Sequence, residues 1–220
     1  MKNLLVTGAS GNLGKVVVQH MIVAGHTVYT THSPGSVNRI PGTIPFEVDL
    51  SDESDSARMV GSVLEAAGHI DGALLLAGGY TGGGVEAANL HSISDMLRMN
   101  AWTAWNVARP LWLAMKERGH GRIIFIGAKP ALDPIMGKDH VAYAVSKSLL
   151  FSFTDLLNAD SGEADLACGI LVPGTIDTPA NREWNPAADR SGWVTPETMA
   201  SEMMRILLAP KQAASGRINL

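Results

Sequence analysis

Tyr143 and Lys147 stand four residues apart in the string YAVSK. On a helix, positions i and i+4 share a face, so a phenol and an ammonium project together. A free phenol titrates near pH ~10 and is a poor acid or base at neutrality. A neighbouring ammonium favours the phenolate and draws that value towards the working range, as proton transfer requires. The same spacing also occurs on purely structural helices. The rest of the chain has to choose between the two.

A second set of residues precedes the pair. Gly8, Gly11 and Gly14 in TGASGNLG give a GxxGxxG spacing between an apolar run and a helix-like one. Glycines there let the chain turn sharply and let backbone N–H groups approach a pyrophosphate. The helix N-terminus adds free donors and a partial positive charge. Gly8, Ser10, Gly11, Asn12, Leu13 and Gly14 are the candidate phosphate contacts. A tight turn without a ligand is the alternative, and the position after the first strand favours the dinucleotide.

Three further strand ends supply candidates. HSPGSVNR follows the second strand, and it carries His32, Ser33 and Arg39 but no carboxylate. A 2′-phosphate would meet no repulsion there, so NADPH is favoured over NADH; a plain polar loop is the alternative. Asp49 and Leu50, ending the third strand, are candidate adenine contacts. Asp49 also suits a helix cap, as Asp52 does. Ala77, Gly78 and Gly79 end the fourth strand and are small enough for a cofactor to lie on their backbone, and TGGGVE continues them as a candidate mobile loop.

Positioning these residues requires a particular frame. Apolar runs at 3–7, 27–31, 44–48, 73–77, 122–126, 167–172 and 216–220 read as strands. Helix-like stretches lie near 12–24, 53–67, 91–118, 140–158 and 196–208. Several runs are continuously hydrophobic, as strands covered on both faces are. The alternation predicts an α/β fold: a single Rossmann-type, doubly wound parallel sheet with helices on both faces. One domain over 1–220 is expected, with a substrate flap at about 176–195, where periodicity is lost and Pro, Asn, Asp and Arg accumulate.

Composition narrows the function classes. Hydrophobic residues at 46% and charged residues at 17% fit a globular protein with its own core. A net charge of -4 gives no electrostatic reason for a nucleic-acid or membrane partner. No apolar run spans a bilayer, and MKNLLVTGAS is too short in apolar residues for a signal peptide, so a cytoplasmic location is expected. Cys168 in LACGILV reads as a core side chain, and the seven His residues show no metal-like spacing, so no metal site is expected.

Together these strings resemble the short-chain dehydrogenase/reductase family over nearly the whole chain. TGASGNLG is similar to its cofactor loop, with the second Gly one position earlier than in TGxxxGxG. LAGG resembles its Asn-Asn-Ala-Gly segment with both asparagines replaced by Leu. The resemblance implies that Asn100 in MNAWTAWNV is a structural and proton-relay residue, and that Tyr143 and Lys147 are catalytic. It also implies that Pro173, Gly174, Ile176 and Thr178 in VPGTIDTP hold the carboxamide and phosphates of NAD(P)H.

Longer strings, IGAKPALD, AYAVSK and IDTPANREWNPAADRSGWVTPE, resemble the pterin-reducing branch of that family, the dihydropteridine reductases. Ala128 stands where most members place a Ser that bonds the substrate carbonyl, and that branch also has Ala. Asn100 instead follows the broad family, and the acidic residue expected after the second strand of this NADH-preferring branch is missing. The chain ends at GRINL without the family's usual tail. Ala128, Lys129 and Trp184 are the candidate substrate neighbours. Trp102, Trp105 and Trp112 suit core packing or the family's homodimer or homotetramer interface, and Trp193 suits an anchor for the flap.

The resulting expectation is an NAD(P)H-dependent reductase of a small-molecule substrate, pterin-like or otherwise conjugated, with Tyr143 as proton donor. The rival from another class is a non-catalytic NAD(P)-binding sensor, which the missing Ser permits and the retained Asn100, Tyr143 and Lys147 oppose.

Overall fold

The computed structural model describes residues 1–36 and 39–220. Val37 and Asn38, inside the stretch read above as a polar or 2′-phosphate-binding loop, lie outside the described residues. The apolar runs form β1 (Asn3–Thr7), β2 (Thr27–His32), β3 (Ile44–Glu47), β4 (Gly72–Leu75), β5 (His120–Ile126), β6 (Asp165–Val172) and β7 (Gly216–Asn219). They pair in parallel in the order β3-β2-β1-β4-β5-β6-β7, the doubly wound sheet expected. The winding reverses between β1 and β4, where the carboxyl ends of the strands open a crevice.

Between the strands run α1 (Asn12–Val23), α2 (Glu53–Ala67), α3 (Leu90–Met96), α4 (Thr103–Arg118), α5 (Pro134–Gly137), α6 (Val141–Asp160), α7 (Pro179–Trp184), α8 (Pro196–Leu208) and α9 (Lys211–Ala214). Successive strand residues serve opposite faces. Leu5, Ile123 and Phe125 pack with Met59, Leu111 and Phe151 of α2, α4 and α6. Leu4, Val6, Ile124 and Ile126 pack with Val17, Met21 and Met203 of α1 and α8. A strand with both faces covered favours apolar residues at successive positions, which is why these runs carry no alternation. Cys168 belongs to the first of these cores, and burial pushes its thiol up and keeps it inert.

The expected helix over 91–118 is interrupted. α3 passes into a π-helical turn at Leu97–Trp102 before α4 begins. The turn carries Asn100 inward to 1% exposure and leaves Met99 and Trp102 partly in solvent. Its cause is tertiary: Asn100 is bonded to a neighbouring loop and to α6, described below. Trp112 is core, with Nε1 donating to Asp160 Oδ2 at 2.9 Å, and Trp105 packs on Phe153 with ring centres 4.5 Å apart.

The segment read as irregular has order of its own. Thr178 caps α7, accepting from Asn181 N at 3.3 Å, and Pro179 starts the helix without losing a needed donor. Asp177 N donates to Val194 O at 2.8 Å and Val194 N to Thr175 O at 2.9 Å, so 175–177 and 194 close the segment on itself. Trp193 lies under the Arg190 guanidinium, 5.7 Å away. Among the described residues, no helix is long and apolar enough to cross a membrane.

Candidate active site

The glycine loop is built by close approach. Gly8 adopts φ +66°, and a Cβ there would come 2.7 Å from Ala77 N, so the loop after β1 lies directly on the loop after β4. A Cβ at Gly14 would collide with the Gly8 carbonyl oxygen, which explains the third glycine of the motif as loop packing. Gly11 precedes α1 and has no side chain to cap it, so first-turn N–H groups of Asn12 and Leu13 are left to an outside acceptor.

Beside this loop runs a cleft of about 650 Å³. Of the residues singled out in the sequence, Gly8, Ser10, His32, Ser33, Asp49, Leu50, Ala77 and Gly78 line it. His32 is buried, with Nδ1 3.3 Å from its neighbour's carbonyl oxygen, Ser33 O. Asp49 does not cap α2; Asp52 does, accepting from Asp55 N at 2.7 Å. Asp49 Oδ1 instead accepts from the hydroxyl and N–H of Ser51. These bonds, with Arg98 nearby, hold Asp49 below the usual carboxylate range. Arg98 and Met99, on the π turn, also line the cleft and were missed, because a π turn has no sequence signal that would aim them there.

Behind Gly78, which lines the cleft, stand Asn100 and Lys147, which do not line it themselves. Asn100 Nδ2 donates to Gly79 O and to Ser146 Oγ, each at 3.1 Å, and Asn100 Oδ1 accepts from Gly79 N at 3.0 Å. Ser146 Oγ in turn donates to Tyr143 O at 2.8 Å. Asn100 therefore ties the loop after β4 to α6. Lys147 is buried beside Gly78, whose Cβ, if it had one, would lie 3.7 Å from Nζ. Nζ donates to Ile126 O at 2.9 Å, one bond for a group that carries three N–H donors when charged.

The pair departs from expectation in its electrostatics. Burial, with a smaller contribution from Tyr80, pushes the Tyr143 phenol up to about 12. Burial lowers Lys147 to about 8. The ammonium is turned to a carbonyl rather than to the phenol, so it does not draw Tyr143 down as the i, i+4 spacing alone suggests. Tyr143 is thus held as a protonated acid at neutral pH.

Three ring side chains, Tyr143 among them, gather on Tyr80. The Tyr80 ring stands edge-on to Tyr143 with centres 5.1 Å apart, and edge-on to Trp184 at 5.9 Å. The Tyr80 hydroxyl is 2.8 Å from His140 Nδ1. Trp184 is therefore brought to the site, whereas Tyr80 and His140 were missed. Their signal was present: Tyr80 directly follows Ala-Gly-Gly, and His140 directly precedes α6.

Ala128 is buried at the end of β5, and the Lys129 ammonium lies against Gly174, 3.4 Å from where a Cβ would stand. Pro173 is buried after β6, Ile176 packs into the core of the α1 and α8 face, and the Thr178 hydroxyl is committed to the α7 cap. All six of these residues lie outside the lining of the cleft.

The donor set fits a dinucleotide. The uncapped α1 N-terminus suits phosphate, the glycine-lined floor suits a flat extended ligand, and the buried Lys147 has donors to spare for ribose hydroxyls.

A family model described as short chain dehydrogenase matches residues 2–189. The dihydropteridine reductase of Dictyostelium discoideum is 27% identical over 207 residues, covering 92% of this chain and 86% of that protein. The acetoacetyl-CoA reductase of an Acinetobacter strain is 23% identical over 189 residues, covering 81% and 75%. A short-chain type dehydrogenase/reductase of Mycobacterium ulcerans shares the fold, with a TM-score of 0.84 at 20% identity over 99% of this chain and 87% of that one. With the fold, the glycine loop and the model match in agreement, the chain belongs to the short-chain dehydrogenase/reductase family and is an oxidoreductase.

Proposed function

We propose that the protein is an NAD(P)H-dependent reductase of a planar, conjugated small molecule of the pterin type, with Tyr143 as proton donor. The observation that carries this reading is that Asn100 and Lys147 meet beside Gly78, a residue of the cleft wall, with the Tyr143 ring centre 5.9 Å from Lys147 Nζ. When bound, the reduced nicotinamide supplies the hydride. Tyr143, kept protonated by burial, gives its proton to the substrate nitrogen or oxygen that gains charge. Lys147 binds the ribose hydroxyls, and in its charged form it stabilises the phenolate that Tyr143 leaves behind. Asn100 fixes the Gly79 backbone and the first turns of α6, and it supports a water route from Lys147 to solvent. Residues 176–195 cover the substrate, led by Trp184. The pterin class is supported by the similarity to a dihydropteridine reductase and by Ala128, which offers a ketone no hydroxyl.

NADPH is the cofactor we assign, because residues 31–36 carry no carboxylate and His32 and Ser33 face the cleft. One observation favours NADH instead: β3 brings Glu47 to this loop, where Oε2 accepts from Gly35 N at 3.2 Å. We also assign a homo-oligomer built on α4 and α6, supported by the exposure of Trp102, Leu113, Val145 and Leu156 on those helices and the turn before them. The deciding experiment measures NADH and NADPH dissociation constants, then follows cofactor oxidation with quinonoid dihydropterins, quinones and ketones. Turnover fastest with the dihydropterins is expected. Tight cofactor binding with no turnover across the panel would overturn the reductase in favour of a sensor.

A further inference from the structure

The reaction above gives Tyr80 no task, although it contacts Tyr143, Trp184 and His140 together. Its placement is built from both sides. Gly83 N donates to Asp139 O at 2.8 Å and Val141 N donates to Gly83 O at 2.9 Å, so the glycine loop is stitched to the two residues flanking His140. Gly82 leaves room for the Tyr80 hydroxyl; a Cβ there would come within 3.0 Å of it. The loop read in the sequence as mobile is thus a mount for one side chain. Tyr143 and Trp184 stand at 78° and 75° to the Tyr80 ring, giving perpendicular apolar walls that suit a flat ring. Tyr80 and Trp184 are 45% and 64% exposed, so this corner is open to a ligand.

We propose that Tyr80, held by His140, donates a second hydrogen bond to a planar heteroaromatic substrate lying between Tyr143 and Trp184, the bond that Ala128 cannot make. This rests on the reductase reading. With the proton on Nδ1, His140 donates to the Tyr80 oxygen, and the phenolic O–H is free for a ring nitrogen or carbonyl oxygen. Tyr80 touches the substrate but keeps its proton, and Tyr143 remains the acid. His140 is a positioning residue.

The test uses the full chain with oxidised cofactor and pterin as the probe, measured by titration calorimetry, beside the KM and kcat for a quinonoid dihydropterin. Tyr80→Phe keeps the ring and should weaken pterin binding about tenfold, the worth of one good hydrogen bond, with cofactor affinity and Tm unchanged. KM should rise more than kcat falls. His140→Ala should reproduce part of the loss, and His140→Asn, whose amide can replace Nδ1, should restore it. Wild-type pterin affinity in Tyr80→Phe would overturn the proposal, as would a wild type that binds no pterin. Failure of His140→Asn to improve on His140→Ala would overturn the role of His140. Pterin binding that depends on Tyr80 without any turnover would sink the reductase reading and support this one.

Discussion

Lys147 lies 5.9 Å from the centre of the Tyr143 ring and donates to the Ile126 carbonyl oxygen at 2.9 Å. Burial of the ammonium costs stability. Its value falls from 10.5 to about 8, so between those values the unfolded chain binds more protons and stability rises with pH. Below pH 8 the full cost is present, on the order of 3 kcal/mol at 1.4 per unit. Lys147→Met should therefore be inactive yet more stable at pH 7, by about 2 kcal/mol once the lost bond to Ile126 is counted. The gain should shrink towards pH 10.5. Thermal denaturation across this range checks it, and a variant no more stable than wild type at pH 7 would refute the cost.

Tyr143 stays protonated through the neutral range, so its own ionisation should not shape the rate there. The group that titrates nearby is Lys147. The kcat/KM for reduction should fall as pH rises through about 8, as the ammonium loses its charge. Tyr143→Phe should lower turnover by about a thousandfold at every pH, with cofactor affinity nearly unchanged. Turnover at the wild-type rate would remove Tyr143 from the mechanism.

Much of this was legible in advance, and the reasons differ by level. Leu4, Leu5 and Val6 are a buried parallel strand in sequence as in structure, because both faces need apolar side chains. The glycine loop was legible because Gly8 and Gly14 answer steric demands that no other residue meets. The Tyr80–His140 contact was not, since it joins positions 60 apart through a loop closure that spacing does not encode. Nor were the shifted Tyr143 and Lys147 values, because spacing reports proximity and burial decides their sign.

Asn100 holds the Gly79 backbone through both its amide atoms. Asn100→Ala would leave the partly buried Gly79 N and O and the buried Ser146 hydroxyl without this partner. A loss of about 2 kcal/mol in stability is expected, together with weaker cofactor binding as the loop after β4 loosens. Denaturant unfolding and cofactor titration measure the two effects. Loss of activity with neither effect would mark Asn100 as purely a relay.

Glu47 puts a negative charge at Gly35, on the loop where a 2′-phosphate would approach. Glu47→Gln removes the charge and keeps an oxygen for the Gly35 N–H. The ratio of NADPH to NADH affinity should rise about fivefold, the scale of one exposed charge pair. An unchanged ratio would place the phosphate away from Glu47.

The proposed bias against simple ketones rests on Ala128. It is 5% exposed at the end of β5, so Ala128→Ser adds one hydroxyl with little new volume. The new donor would stabilise charge developing on a carbonyl oxygen, beside the proton from Tyr143. A conjugated C=N substrate already bonded by Tyr80 would gain little from it. The kcat/KM for a ketone should therefore rise about tenfold, while that for a dihydropterin changes less than twofold. Steady-state rates on the two substrates give the comparison. An equal rise on both would mean that Ala128 faces the reacting bond whatever the substrate, and that selectivity is set elsewhere in the site.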